Sequence, residues 1–224
     1  MSKAAVAEST DLAEIEAQEL ATIEAEMDAA AQKMKDNLVV SSNRISNRGK
    51  QFTLPDGTQM GPTLEVVVLG YINANAMFSS TYDPNAPEAP ICFAYAEPGD
   101  ELKPSTKVEK PEAPVCSDCP NDEFGSAQTG KGKACKNEYQ VAVIVPGQGD
   151  VPMTLSISAT GMKMFDTSMG GVLKNFKTSM HAVLTAEFTD AMYPVVKITG
   201  GRPNPDTLAH WKIHRDAIDT LLAQ

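Results

Sequence analysis

The sequence predicts a mainly β protein: an OB-fold-like β-barrel with one inserted helix, a zinc-stapled insertion, and helices at the N- and C-termini. Three observations lead there. From residue 38 onward, short strand-like runs alternate with turn residues, and one long helical pattern, 160–179, precedes the last strand pair. That order fits a five-stranded Greek-key barrel with a helix between its third and fourth strands, and regular βαβ alternation is missing. All four cysteines, Cys92, Cys116, Cys119 and Cys135, fall within one 44-residue stretch.

The elements follow in order. Residues 11–35 read as a helix, opened by a capping box of Asp11 and Glu14, rich in Ala and Glu and free of Gly and Pro. Its apolar stripe of Leu12, Ile15, Ile23, Met27 and Met34 is narrow, so it should pack on a partner, on the main domain or on its own copy. Residues 38–40 and 51–54 are short strands, the second ending at the turn Pro55-Asp56-Gly57. Residues 64–72 are apolar on both faces for most of their length and should be a central strand. Residues 78–82 and 91–95 are shorter candidates. Strands 139–145 and 151–157 follow, the latter alternating Met153, Leu155 and Ile157 with polar residues, the mark of one wet face. Helix 160–179 carries Met162, Phe165, Met169, Leu173 and Phe176 on one side, weakened by Gly170-Gly171. Residues 183–188 and 194–198 form a hairpin. Asp206 caps a last helix that should bury Leu208, Trp211, Ile218 and Leu222. Three parts result: an acidic helical leader (1–37), a barrel domain (38–205) with a four-cysteine insertion (92–138), and a C-terminal helix (206–224).

Charge is uneven. The net value is −10. Residues 1–36 hold nine acids against three lysines, so they carry −6 of it and leave −4 for the rest. An acidic total therefore does not exclude a polyanionic partner. No run approaches 18 apolar residues, which predicts no membrane span. The opening residues lack a basic segment followed by an apolar run, so no secretory signal is expected.

Four thiolates match the full shell of a structural zinc, and Cys116-Ser117-Asp118-Cys119 is a CxxC. A long unsupported insertion also needs a staple. Disulfides, a redox CxxC and four unrelated buried thiols are the alternatives. The first needs an oxidising compartment, and the second is disfavoured by Pro120 and Gly125 after the motif. The gap of 24 positions from Cys92 to Cys116 is not a standard ribbon spacing.

No catalytic constellation emerges, so no enzyme is expected. His210 and His214 lie at i, i+4 without an HExxH and read as the polar side of a helix; His181 stands alone. Gly130-Lys131-Gly132-Lys133 lacks the spacing of a phosphate loop. Basic and aromatic residues are better candidates. Arg44, Arg48 and Lys50 precede Phe52, while Lys131, Lys133 and Lys136 sit among glycines near the cysteines. Tyr71, Phe78, Tyr82, Phe93 and Tyr95 fall on or beside the early strands, where rings could stack bases. If 91–95 is a strand, Phe93 and Tyr95 share a face and Cys92 points the other way, towards the metal. These residues are the expected nucleic-acid contacts; the four cysteines are the expected Zn2+ ligands.

The runs RGKQFTLPDG (48–57), LEVVVL (64–69), YDPN (82–85), PICFA (90–94), CSDCPNDEFGS (116–126) and GKGKACKN (130–137) together resemble a group of tailed-bacteriophage proteins regarded as single-stranded DNA-binding replication proteins. The similarity spans about residues 45–200, and the cysteine motif is its most specific part. It implies an OB-type core, a role in replication or recombination, and the cytoplasm of an infected bacterial host. Such proteins typically recruit partners through an acidic C-terminal tail. Here the acidic segment is N-terminal, so the leader would recruit replication proteins from the other end. The expected function is non-specific single-stranded DNA binding, with homo-oligomerisation through the leader as a further option. The rival is a structural adaptor whose four-cysteine module and acidic helix dock other proteins.

Overall fold

The computed structural model describes residue 27 and residues 43–79, 88–128 and 130–224. The expected leader (apart from Met27, which is helical), the expected strand 38–40 and Tyr82 lie outside the described residues. The chain divides into two units, 1–42 and 43–224, and the second holds the described strands and the two long helices.

Its elements are β1 (Arg44–Ile45), β2 (Phe52–Thr53), β3 (Gln59–Gly61), β4 (Thr63–Met77), β5 (Cys92–Ala96), β6 (Cys135–Ile144), β7 (Met153–Ser158), α1 (Ala159–Phe176), β8 (Ala182–Phe188), β9 (Val196–Pro203) and α2 (Thr207–Leu222). The large sheet runs β1-β7-β6-β4-β8-β9, and β5 joins it through β4; β2 and β3 form a separate hairpin. The pairings are antiparallel apart from the short parallel contact of β1 with β7. The protein is thus mainly β, with a curled half-barrel sheet and two helices. Among the described residues no helix is long and apolar enough to cross a membrane.

Strand β4 organises everything else. Its opening segment is apolar on both faces, as 64–72 predicted, because both faces are covered. Leu64, Val66 and Val68 join a core with Phe52, Val141, Leu155, Ile157, Phe165, Leu184 and Ile198. Val67, Leu69 and Ile72 join a second core with Ile144, Ile218 and Leu221 of the opposite side. Each such side chain contributes about 1.5–3 kcal/mol by leaving water. A bulge between Val68 and Gly70 shifts the register against β6. Tyr71 then resumes the first side and Ile72 the second. Gly70 faces α2 so closely that an added Cβ would sit 2.7 Å from Ile218 Cδ1.

Several boundaries differ from the sequence reading. β4 runs to Met77, so Phe78 and Ser79 are not strand; β6 begins at Cys135, four residues earlier than expected, because it pairs β4 to that end. β3 was not foreseen. It pairs β2 across the expected turn, where Asp56 Oδ1 accepts from Thr58 N (2.9 Å) and Gly57 takes φ +89°. In α1, Phe165 and Met169 are buried as expected, with Val172 in place of the exposed Leu173. In α2 the phase is rotated. Leu208 and Trp211 are exposed, and His210, Ala217, Ile218 and Leu221 face inward. The buried His210 is tolerated because Asn204 Nδ2 donates to its Nδ1 (2.9 Å), and Asn204 also donates to Met180 O (2.7 Å). His210 is therefore not on the polar side of its helix. Asp206 holds the N-cap position, but its side chain makes no cap bond.

Candidate functional site

Beyond the bulge, β4 continues as a three-stranded arm with β5 on one edge and β6 on the other. Directly opposed residues share a face. Ala76 is opposite both Phe93 and Lys136, and Ala74 is opposite both Tyr95 and Glu138. One face of the arm is therefore a shallow trough. Its floor is Ala74 and Ala76, one wall is Phe93 and Tyr95, and the other is Lys136 and Glu138. The two rings lie 5.7 Å apart, tilted by 47°. Arg44 Nη2 lies 3.0 Å from Glu138 Oε1, which brings a second cation to the polar wall. Lys136 Nζ also stands 5.3 Å from the Phe78 ring centroid. At the trough's other end Arg215 of α2 pairs with Glu97 (2.9 Å), just past β5. Burial pushes the Tyr95 hydroxyl up, partly countered by Arg44.

The opposite face is chemically different. Met77 is opposite both Cys92 and Cys135, Asn75 is opposite Ala94 and Asn137, and Asn73 is opposite Ala96 and Tyr139. Residues 97–128 and 130–134 fold over this side as a flap. Cys116 N donates to Leu102 O (2.9 Å), Ser105 N to Phe93 O (2.8 Å), and Gly125 N to Gly132 O (2.9 Å). Ser126 Oγ accepts from Ala134 N (2.9 Å) and donates to Glu123 O (2.7 Å). Asn137 Nδ2 donates to Asn75 Oδ1 (2.7 Å) and to Asp122 Oδ1 (2.8 Å), and Lys133 Nζ meets the same Asp122 oxygen at 3.0 Å. Backbone and amide bonds thus staple the flap to the arm.

All four cysteines, with Glu112 and Asp122, line one cavity of about 20 Å³ under the flap. They are free thiols. Burial first, then neighbouring thiols and Asp122, push Cys116 up to about 11 and Cys135 up to about 12. Among the described residues, no group of three or more His, Cys, Asp or Glu side chains is arranged to hold a metal ion. A larger groove of about 810 Å³ opens between the flap, the amide face of the arm, the start of α1 and the β8–β9 loop. Its charges are mixed: Glu101, Asp122 and Glu138 against Lys133 and Lys136.

The expected nucleic-acid residues separate into groups. Arg44, Phe78, Phe93, Tyr95 and Lys136 come together around the trough. Lys131 and Lys133 lie on the flap, Lys131 exposed and Lys133 engaged by Asp122 and 5.4 Å from the Phe124 ring centroid. Arg48 is exposed in a 3-10 turn, and Lys50 donates to Thr189 O (3.2 Å). Two rings are corrections. Phe52 is fully buried and stacked on Phe188 at 4.4 Å, which leaves no face for a base. Tyr71 is half-buried between Tyr139 (4.8 Å) and Phe165 (5.1 Å). Sequence reasoning missed Phe124, 84% exposed on the flap, and Met192 (99%) and Tyr193 in the β8–β9 loop. Their signal was present: each is a large apolar residue inside a turn-rich segment, where no core can cover it.

No family model, no curated protein and no solved structure matches the chain.

Proposed function

We propose that this protein binds single-stranded DNA, without sequence preference and without catalysing a reaction on it, along the trough of the β5–β4–β6 arm. The observation that carries the reading is the juxtaposition of Phe93 and Tyr95, on one face of β5, with Lys136 across a floor of alanines, Arg44 being held at the same wall by Glu138. Rings on one wall and cations on the other are what an unpaired strand needs. Bases stack at about 1–3 kcal/mol each, and phosphates are met electrostatically.

The strand order supports an OB-type barrel. With β4, β6, β7, β8 and β9 as its five strands, the order is third-second-first-fourth-fifth, and α1 lies between the third and fourth. Among the described residues no ladder joins β7 to β9, in keeping with a partly open barrel. OB-folds bind oligonucleotides on the second and third strands and the loops after the first and fourth. In this assignment those strands are β6 and β7, and those loops are the segment holding β5 and the flap and the loop with Met192 and Tyr193; together they border the wide groove, so the strand order supports the barrel and not the choice of the trough. A phage setting in replication or recombination goes with this reading through the resemblance alone.

The test is titration of a fluorescent oligo-dT, read by anisotropy over a range of salt. Binding that weakens linearly in log–log form with added salt supports the proposal. No binding at low salt rejects it. A second reading has its own observation. The wide groove, with mixed charge and Phe124 and Tyr193 exposed beside it, suits a peptide, which is the adaptor function. A protein that ignores oligo-dT but loses a partner on Phe124→Ala would establish that reading instead.

A further inference from the structure

The trough uses one face of the arm; the covered face raises a separate question. Three independent pieces of chain bring thiols to the wall of one cavity there. Cys92 comes from β5, Cys135 from β6, and Cys116 and Cys119 bracket a 3-10 turn of the flap. All four border the same cavity of about 20 Å³. A space of that size accepts one water-sized occupant. We propose that this cavity is a site for a single soft divalent cation of the zinc class, held by the four thiolates.

The donor chemistry is the first support. Thiolates select soft cations, and four of them close a tetrahedral shell with no position open for catalysis. The site would then be structural, clamping β5, β6 and the flap together. The second support is position. Cys116, Cys135, Asn75 and Asp122 line both this cavity and the wide groove. Cys92 is the neighbour of Phe93 on β5. A bound ion would fix the aromatic wall of the trough from behind.

The geometry also sets a cost. Met77 stands between Cys92 and Cys135. Two strand spacings put their Cα atoms about 10 Å apart in a flat sheet. Sulfur–zinc bonds are about 2.3 Å, so these two side chains must turn towards each other and the sheet must curve to close the shell. In this conformation the described side chains form no such group. Binding therefore requires a local rearrangement, in which coordination displaces the thiol protons to solvent.

The experiment is independent of nucleic acid. The full chain is purified without added metal or chelator, and its metal content is measured. One zinc per chain is expected. Cobalt-substituted protein should show thiolate-to-cobalt charge-transfer absorption, and Cys119→Ser, at a half-buried position, should lose most of the metal. Protein with substantially less than one zinc, whose four thiols all react with a thiol reagent in the native state, overturns the proposal. So does a disulfide found by mass spectrometry, or iron–thiolate colour. Oligo-dT binding by a metal-free protein would leave the functional reading standing while removing this one.

Discussion

The two faces of the β5–β4–β6 arm are built from alternate residues of the same strands, yet they have opposite chemistry. One carries Ala74, Ala76, Phe93, Tyr95, Lys136 and Glu138; the other carries Asn73, Asn75, Met77, Cys92, Cys135 and Asn137. The second face is covered by the flap over its cysteines and opens to the wide groove at Asn73, Asn75 and Asn137, with Asn137 holding Asn75 and Asp122 at once. Among the described residues nothing comparable covers the first face along Phe93 and Lys136, and its rings and cations are half-buried or exposed. The comparison teaches where to look for each role. Groups already bonded to one another stabilise the fold; groups of complementary type left facing solvent are available to a ligand.

That contrast can be broken by substitution. The largest effect on stability belongs to the ring that belongs to neither face. Phe52→Ala should cost about 3–5 kcal/mol in a urea unfolding curve and leave oligo-dT affinity of the folded protein unchanged. A loss of affinity with unchanged stability would return Phe52 to the binding surface. On the open face, Phe93→Ala with Tyr95→Ala should lose about 2–6 kcal/mol of binding, at least about thirtyfold in Kd. Equal affinity would remove the trough from the account. On the covered face, Asn137→Ala strands the Asn75 acceptor, Asp122 keeping Lys133, and should cost about 1–3 kcal/mol of stability, with little change in binding.

A subtler comparison sets two lysines three residues apart in sequence. Lys136→Ala should reduce the magnitude of the log–log salt slope by about 0.7, one phosphate contact on a single strand. Lys133→Ala should barely move it, because Asp122 already lies 3.0 Å from that ammonium. The reverse result would shift the strand to the flap side. The smallest effect is on pH. Burial, then Asp166, push the Tyr139 hydroxyl up from 10.0 to about 12. The unfolded chain therefore releases this proton first. Stability is unaffected by this group below pH 10 and falls as pH rises from there towards 12. Urea midpoints across that range should drop less in Tyr139→Phe than in the unaltered protein.

Much of this was readable from the residues. The apolar run 64–72 announced a strand covered on both sides, and the alternation of Met153, Leu155 and Ile157 announced one inward face. The facing of Phe93 and Tyr95 away from Cys92 followed from strand periodicity alone, and the register agrees. What periodicity could not supply was the extent of pairing. β4 and β6 run into Asn- and Cys-bearing segments because each is the other's partner, a non-local fact. The phase of α2 was misread for a related reason. Leu208 and Trp211 are more apolar than His210, yet Asn204, in the turn just before the helix and itself anchored to the distant Met180 O, satisfies His210 and allows it inside. Phe52 preceded by three cations looked like a binding motif; only the partner ring Phe188, far along the chain, makes it core.

Photo-crosslinking decides most directly which face, if any, receives a strand. A 5-iodouracil-substituted oligo-dT is irradiated with the protein and the adducts are located by mass spectrometry. Adducts at Phe93, Tyr95 or Phe78 are the result the trough demands. Adducts confined to Phe124 and Tyr193, or none at a salt concentration where binding is saturated, would contradict it.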